Sequence, residues 1–348
     1  MKTGKSLVEL AQELMDQQAS KHDYVADTRE LTFNSDTNEL RVNGHGEFAV
    51  TENTHKQIAN RMGIPQKYYD RMRSEFPDLL QENVNYLFNN APDRRMIRTL
   101  GSNARAFLSD RYRPLDNFDL AEAVIPVMQE ANGIQIVSSE LTDTRMYIKA
   151  IFPQVQTEVK RGDIVQAGIV VSNSEIGHGS VRIEPLVYRL VCTNGMISQD
   201  HTMKRHHVGR AADGADGAFE LYRDETLEAD DRAFFMRVQD VVRATVTDVG
   251  FEKIVEKMRQ STEALINGDP IKAVEVIKHN YNLTDGERNG VLKHLLSEGD
   301  LSQFGMVNAL TRYSQDVDSY DRATDFERLG GTVLELPKSQ WKTIAEAA

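Results

Sequence analysis

The chain has 348 residues, 40% hydrophobic and 27% charged, enough for one large or two medium domains around a sizeable core. Its apolar runs are too short and too interrupted by charge to span a bilayer, and its lone cysteine excludes an internal disulfide framework and a cysteine zinc site. A net charge of −12 argues against a generic nucleic-acid coat.

That charge is unevenly spread. Residues 1–115 carry 16 basic and 16 acidic side chains, residues 116–210 carry 9 and 11, and residues 211–348 carry 16 and 26. Within residues 41–115 the balance turns basic, 12 against 8. Screening over about 8 Å at physiological salt lets such a local patch act inside an acidic protein. The same boundaries describe the expected organisation: an N-terminal mixed region over 1–115, an antiparallel sheet core over 116–210 and an acidic helical region over 211–348. The opening MKTGKSLVELAQELMDQQ turns amphipathic and acidic and lacks the apolar segment of a signal peptide. The expected location is the cytoplasm of a bacterial host cell.

In chain order, residues 5–18 predict an amphipathic helix from Leu7, Leu10, Leu14 and Met15. ELTFNSDTNELRVNG predicts a strand hairpin, followed by a short strand and two helices parted at Gly63-Ile64-Pro65. RMIRTL and ARAFLS pair across Gly101-Ser102-Asn103, and a helix runs from Asn117 to Glu130 with Pro126 inside it. IQIVSS, RMYIKAIF, IVQAGIVVSN and SVRIEPLVYRLVC predict a four-strand meander. A polar linker follows, HTMKRHHVGRAADGADGAF, and from Leu221 the chain reads as helical. The fold class is therefore α+β: an antiparallel sheet with helices packed on it, then a mostly helical C-terminal part.

Five stretches are candidates for chemistry. The first is the patch Asn173, Ser174, Glu175, Gly177, His178, Gly179 and Ser180. Its glycines could let backbone N–H groups converge on an anion, with Arg182 and Arg189 adding charge. No helix follows it, so a phosphate loop is not formed. The plainer alternative is a connection between two strands. Second, Cys192 alternates with Leu190 and Tyr188 and reads as a core cysteine rather than a nucleophile. Third, His201, His206 and His207 are badly spaced for a metal, which leaves a basic loop with Lys204, Arg205 and Arg210 suited to phosphates. Asn194, just after the cysteine, is a further loop candidate.

The fourth candidate is the helix pair around Gly63, either a packed hairpin or a loose helix-turn-helix with Lys67, Arg71 and Arg73 facing phosphates. The fifth is RRMIRTLGSNARAFLSDRYR, with Arg94, Arg95, Arg98, Arg105, Arg111 and Arg113. Strand alternation sets Arg95 and Arg98 on opposite faces. Tyr112, between Arg111 and Arg113, could stack on a base. The alternative is solvated or internally paired arginine. No catalytic carboxylate pair and no nucleotide, hydrolase or metalloprotease motif is present, so neither a cofactor nor a metal is expected.

LSDRYRPLDN, NSEIGHGSVRIEPLVYRLVCTNGM and NALTRYSQDVDSYDRATDFERLGG, in this order, resemble a phage- and plasmid-associated family, the domain of unknown function nine-three-two. GIPQKYYDRM and the later NVN resemble it too, so the likeness runs roughly from Glu47 to Leu336. It implies an origin in a phage, prophage or plasmid and supplies no activity. The element order is also loosely similar to that of phage single-strand annealing recombinases, which form rings with a basic groove. The expectation is a non-enzymatic protein that binds nucleic acid, preferably single-stranded DNA, in replication, recombination or DNA protection, as a homo-oligomer or ring and away from membranes. The alternative is a counter-defence factor that binds a host protein; an enzyme is the third class.

Overall fold

The computed structural model describes residues 1–130, 133–198, 203–205, 224–245 and 248–347. Helix α1 (Leu7–Ser20) opens with a capping box, in which Ser6 and Glu9 satisfy each other's backbone N–H groups. A six-stranded sheet follows. Its strands are β1 (Lys21–Asp27), β2 (Leu31–Asn34), β3 (Glu39–Val42), β4 (Gly46–Val50), β5 (Arg94–Leu100) and β6 (Asn103–Ser109). The order is β1-β5-β6-β4-β3-β2, antiparallel except for the short β4–β6 contact.

Helices α2 (Glu52–Arg61), α3 (Gln66–Glu75) and α4 (Pro77–Asn90) bury the apolar face of this sheet. Phe33, Leu40, Ile97 and Phe107 meet Ile58, Tyr69, Val84 and Phe88 there. Asn85 of α4 imitates a neighbouring strand at the β2 edge, accepting from the Phe33 N–H and donating to its carbonyl, both at 2.8 Å.

Helix α5 (Asn117–Glu130) leads into the second sheet, and Pro126 sits inside it without ending it. The strands are β7 (Gln135–Leu141), β8 (Met146–Lys160), β9 (Asp163–Asn173), β10 (Val181–Arg189), β11 (Asn194–Ile197) and β12 (Met203–Arg205). Neighbours follow the order β7-β8-β9-β10-β11, all antiparallel, and β12 pairs with β10 as well.

Helices α6 (Asp224–Thr245), α7 (Asp248–Thr262), α8 (Pro270–Tyr281), α9 (Asp285–Glu298), α10 (Gln303–Tyr313), α11 (Tyr320–Leu334) and α12 (Lys338–Ala345) complete the chain. One face of the second sheet is apolar and joins α5, α6 and α7 in the larger core. Leu10 and Leu14 of α1 belong to that core too, so the first helix serves the second sheet. The opposite face mixes buried charges with a small apolar cluster, Ile151, Val170, Leu186 and Ile197, and meets α11. Lys149 and Glu327 pair at 2.6 Å with neither side chain exposed, and Arg328 holds Glu184 at 2.6 Å.

The α+β class and the helical C-terminal part are as expected. Strands β1 and β11 and helices α4 and α11 are additions. Strand β10 stops at Arg189, so Cys192 lies on the half-buried turn after it and not inside an apolar strand. Burial pushes its thiol pKa up, as does nearby Glu298, against the pull of Arg189. Part of the expected polar linker, Met203–Arg205, is strand β12; the rest of HTMKRHHVGRAADGADGAF, with Arg210 and all three histidines, lies outside the described residues.

Candidate functional site

The patch Asn173–Ser180 connects β9 to β10, and it is mostly buried. Ser172 of β9 faces Arg182 of β10, so the two strands flank it as a hairpin. Glu175 accepts from the Asn117 backbone N–H and from Arg105 Nη2, each at 2.6 Å, while its carbonyl accepts from Arg98 Nη1 at 2.8 Å. Asn173 donates to the Leu115 carbonyl and to Asn117 Oδ1. Ile176 enters a small apolar cluster with Met96, Ala106 and Leu108 of the first sheet, against the Tyr112 ring. Gly177 is required where it stands: its φ is +81°, and a Cβ would approach Leu108 Cδ2 to 2.8 Å. Gln57 of α2 bridges the two halves, donating to the Ile176 carbonyl and accepting from the Phe107 N–H, both at 2.7 Å. The patch is thus a tongue of the second sheet docked on the first.

The charge that locks this joint is Arg98. Its side chain has no exposure, and its Nε and Nη2 reach Asp23 and Asp116, each at 2.8 Å. Burial alone would lower its pKa, but the two carboxylates outweigh that and hold it above the ordinary value. Asp116 also accepts from Lys21.

Most of the other candidate arginines are spent in the same way. Arg105 holds Glu175, Arg113 holds Asp231 at 2.6 Å, and Arg189 holds Asp163 at 2.7 Å and Glu298 at 3.2 Å. Arg95 is bound to Asp93. The half-buried Tyr112 ring packs against the inter-sheet cluster and its hydroxyl donates to the Ser174 carbonyl, so its place is in the joint. Arg111 is exposed and Arg182 is a third exposed. Lys204 and Arg205 lie on β12, opposite Arg182 and Val181. Asn194 is buried and donates to Thr311; Ser174 is buried and accepts from the His178 N–H. The arginines therefore do not line one groove.

What the tongue does create is a cleft of about 450 Å³ between the two sheets. It is lined by Thr51, the cap of α2, and Glu52, Asn53 and Lys56 of α2, by Asn103 and Arg105 of β6, by Leu141 at the end of β7 and the turn Thr142–Arg145 after it, by Glu175 and His178, and by Glu13 and Gln17 of α1. His178 Nε2 meets Asn53 Oδ1 at 2.5 Å, and the His178 carbonyl accepts from Arg145 Nη2 at 2.7 Å. Gly179 lies alongside the Arg145 guanidinium.

Three of the cleft's carboxylates are paired, Glu52 with Arg73 at 2.9 Å, Glu13 with Lys5 at 2.6 Å and Glu175 with Arg105, while Asp143 on the β7–β8 turn is exposed. The cations are less spent. Among the described residues, Arg145 has no carboxylate within 4.0 Å, and Lys56 has only Glu52 at 4.0 Å. Arg105 Nε is buried without a partner. Burial, then Arg145 and Lys56, hold the His178 imidazole below its ordinary pKa, against the opposite pull of Asp321. Lys56, Arg145, Asn53 and Gln57 carried no motif signal. Lys56 is one lysine on a polar helix and Arg145 ends the turn sequence TDTR.

Among the described residues no group of three or more His, Cys, Asp or Glu could hold a metal, and no helix is long and apolar enough to cross a membrane. The molecule is thus a two-sheet α+β protein whose sheets meet at a polar, cation-lined cleft. Residues 105–336 match the model of a domain of unknown function, DUF932, and the chain belongs to that family. The matched range starts in β6 and leaves the GIPQKYYDRM hairpin outside it. No curated protein and no solved structure matches the chain.

Proposed function

We propose that the chain binds nucleic acid, single strands in preference, and serves replication, recombination or DNA protection in a phage or plasmid. The observation that supports this reading is the cleft, where among the described residues Arg145 has no carboxylate within 4.0 Å and Lys56 only Glu52 at that limit, while Glu13, Glu52 and Glu175 are held by other cations. Cations left over after internal pairing are the ones that can neutralise phosphate. Amides from Asn53, Asn103 and Gln17 add donors and acceptors suited to sugars and base edges. An annealing role would add a homo-oligomer or ring.

Fluorescence anisotropy of labelled single- and double-stranded oligonucleotides at two salt concentrations tests the reading. Single strands should bind tighter, with log affinity falling by roughly 0.7 per phosphate contact per log unit of salt. Lys56→Ala with Arg145→Ala should weaken binding at least tenfold at an unchanged melting temperature. Absence of binding at low salt would retire the reading. A second reading, action through a host protein, is favoured by the exposed Tyr68, Phe76, Leu79 and Tyr86 on the α3–α4 hairpin.

A further inference from the structure

The cleft has the size of a small-molecule site and not that of an extended groove, at about 450 Å³. Two of its cations, Lys56 and Arg145, gather around His178. Lys56 and Arg145 are the cations that act on the His178 ring, and Arg145 is anchored to the backbone carbonyl of that same residue at 2.7 Å. With Nε2 turned to Asn53 Oδ1, a neutral His178 carries its proton on Nε2 and leaves Nδ1 unprotonated. A dianionic or monoanionic phosphate beside Lys56 and Arg145 would meet two charged donors and a ring that becomes a third once Nδ1 is protonated. Gln17 of α1 and Asn103 of β6 add amides to the lining, beside Glu13 and Arg105, whose charges are paired with Lys5 and Glu175. Cations around His178 and amides elsewhere in the same lining match a nucleotide, with phosphate at the cations and sugar or base at the amides.

We propose that the cleft is a discrete phosphate pocket that holds one nucleotide unit, with Lys56, Arg145 and His178 around its phosphate. The proposal rests on the nucleic-acid reading for the strand but not for the phosphate itself, which could equally arrive on a free mononucleotide. The groups that face His178 are Arg145 from the β7–β8 turn, Lys56 and Asn53 from α2 and Asp321 from α11. Its titration therefore reports the occupant directly.

The experiment follows the imidazole signals of the full chain by NMR against pH, with His178→Gln identifying the signal among nine histidines. The probes are inorganic phosphate, a deoxynucleoside monophosphate and a short single-stranded oligonucleotide. The expected result is an upward shift of the His178 titration by the monophosphate, and at least tenfold weaker monophosphate binding in Lys56→Ala/Arg145→Ala at an unchanged melting temperature. A shift by the monophosphate with no tighter binding of the oligonucleotide upholds the pocket and overturns the strand reading. Oligonucleotide binding with no effect of phosphate or monophosphate at millimolar concentration overturns the pocket and leaves the strand reading standing. Silence of His178 toward all three probes overturns the pocket.

Discussion

His55 shows how a buried polar group sets a pH dependence. It lies in the core of the first sheet, with Nδ1 2.8 Å from the Tyr69 hydroxyl and Nε2 2.8 Å from Asn38 Oδ1. Asn38 is the left-handed turn residue between β2 and β3, at φ +55°, so the ring also fixes that hairpin. Nδ1 accepts the Tyr69 proton and Nε2 donates to Asn38, which makes the ring neutral. Burial, with Arg73 helping, lowers its pKa from 6.5 to about 4. The unfolded chain therefore takes up this proton near pH 6.5, and the folded chain takes it up only near 4. The contribution is fully present above pH 6.5 and is lost as pH falls toward 4, at up to about 1.4 kcal/mol per pH unit. His55→Gln should lose about 1–3 kcal/mol at pH 8 through the broken hydrogen bonds. It should also show a flatter stability curve than the parent between pH 6.5 and 5. Urea unfolding at four pH values checks both; parallel curves would remove His55 as the cause.

Among the elements, α11 teaches most about what sequence can convey. Its sequence YDRATDFERLGGTVL has two adjacent glycines two-thirds of the way along, and glycine costs about 1 kcal/mol relative to alanine in a helix interior. Read locally, the pair breaks the helix. In the fold it permits close packing: a Cβ on Gly331 would lie 2.0 Å from the Ile197 carbonyl of β11, and one on Gly330 2.4 Å from Thr311 Cγ2 of α10. Gly331→Ala would strike backbone, so α11 must lift from the sheet edge, and the Arg328–Glu184 and Lys149–Glu327 pairs must lengthen with it. A loss of several kcal/mol is expected, beyond the 1–3 kcal/mol typical of overpacking, because buried charges lose their partners. Thermal unfolding checks this, and a melting temperature within 2 °C of the parent would show that α11 is not seated as described.

The other omissions have equally local causes. Strand β1, KHDYVAD, is a polar edge strand without an apolar alternation; α4 is asparagine-rich because Asn85 serves the β2 edge. By contrast, α5 and the β5–β6, β8 and β9 strands were legible, because their apolar spacing is the spacing of their buried faces.

At the scale of the whole molecule, the patch Asn173–Ser180 was legible as a strand connection but not as a joint, since nothing in its residues says that Ile176 finds Met96 and Leu108 seventy to eighty positions away. The arginine-rich strands were equally opaque: charge alone does not distinguish a groove from Arg98 buried between Asp23 and Asp116. That joint is narrow. Among the described residues, the apolar contact between the sheets is one small cluster, Met96, Ala106, Leu108 and Ile176 with Tyr112, beside the Arg98 cluster and the Gln57 bridge. Each sheet has its own separate large core. Two cores joined through so small a contact unfold as one unit only while the joint is worth more than the difference in their stabilities. Ile176→Ala removes about 2–5 kcal/mol of packing from the joint and almost none from either core. The variant should therefore melt in two calorimetric transitions where the parent melts in one. The β5 and β6 amides should exchange faster while those of β8 and β9 keep their protection. A single transition merely shifted to lower temperature would mean that the halves are coupled by more than the tongue, and the cleft would then be a rigid pocket and not one whose walls can separate.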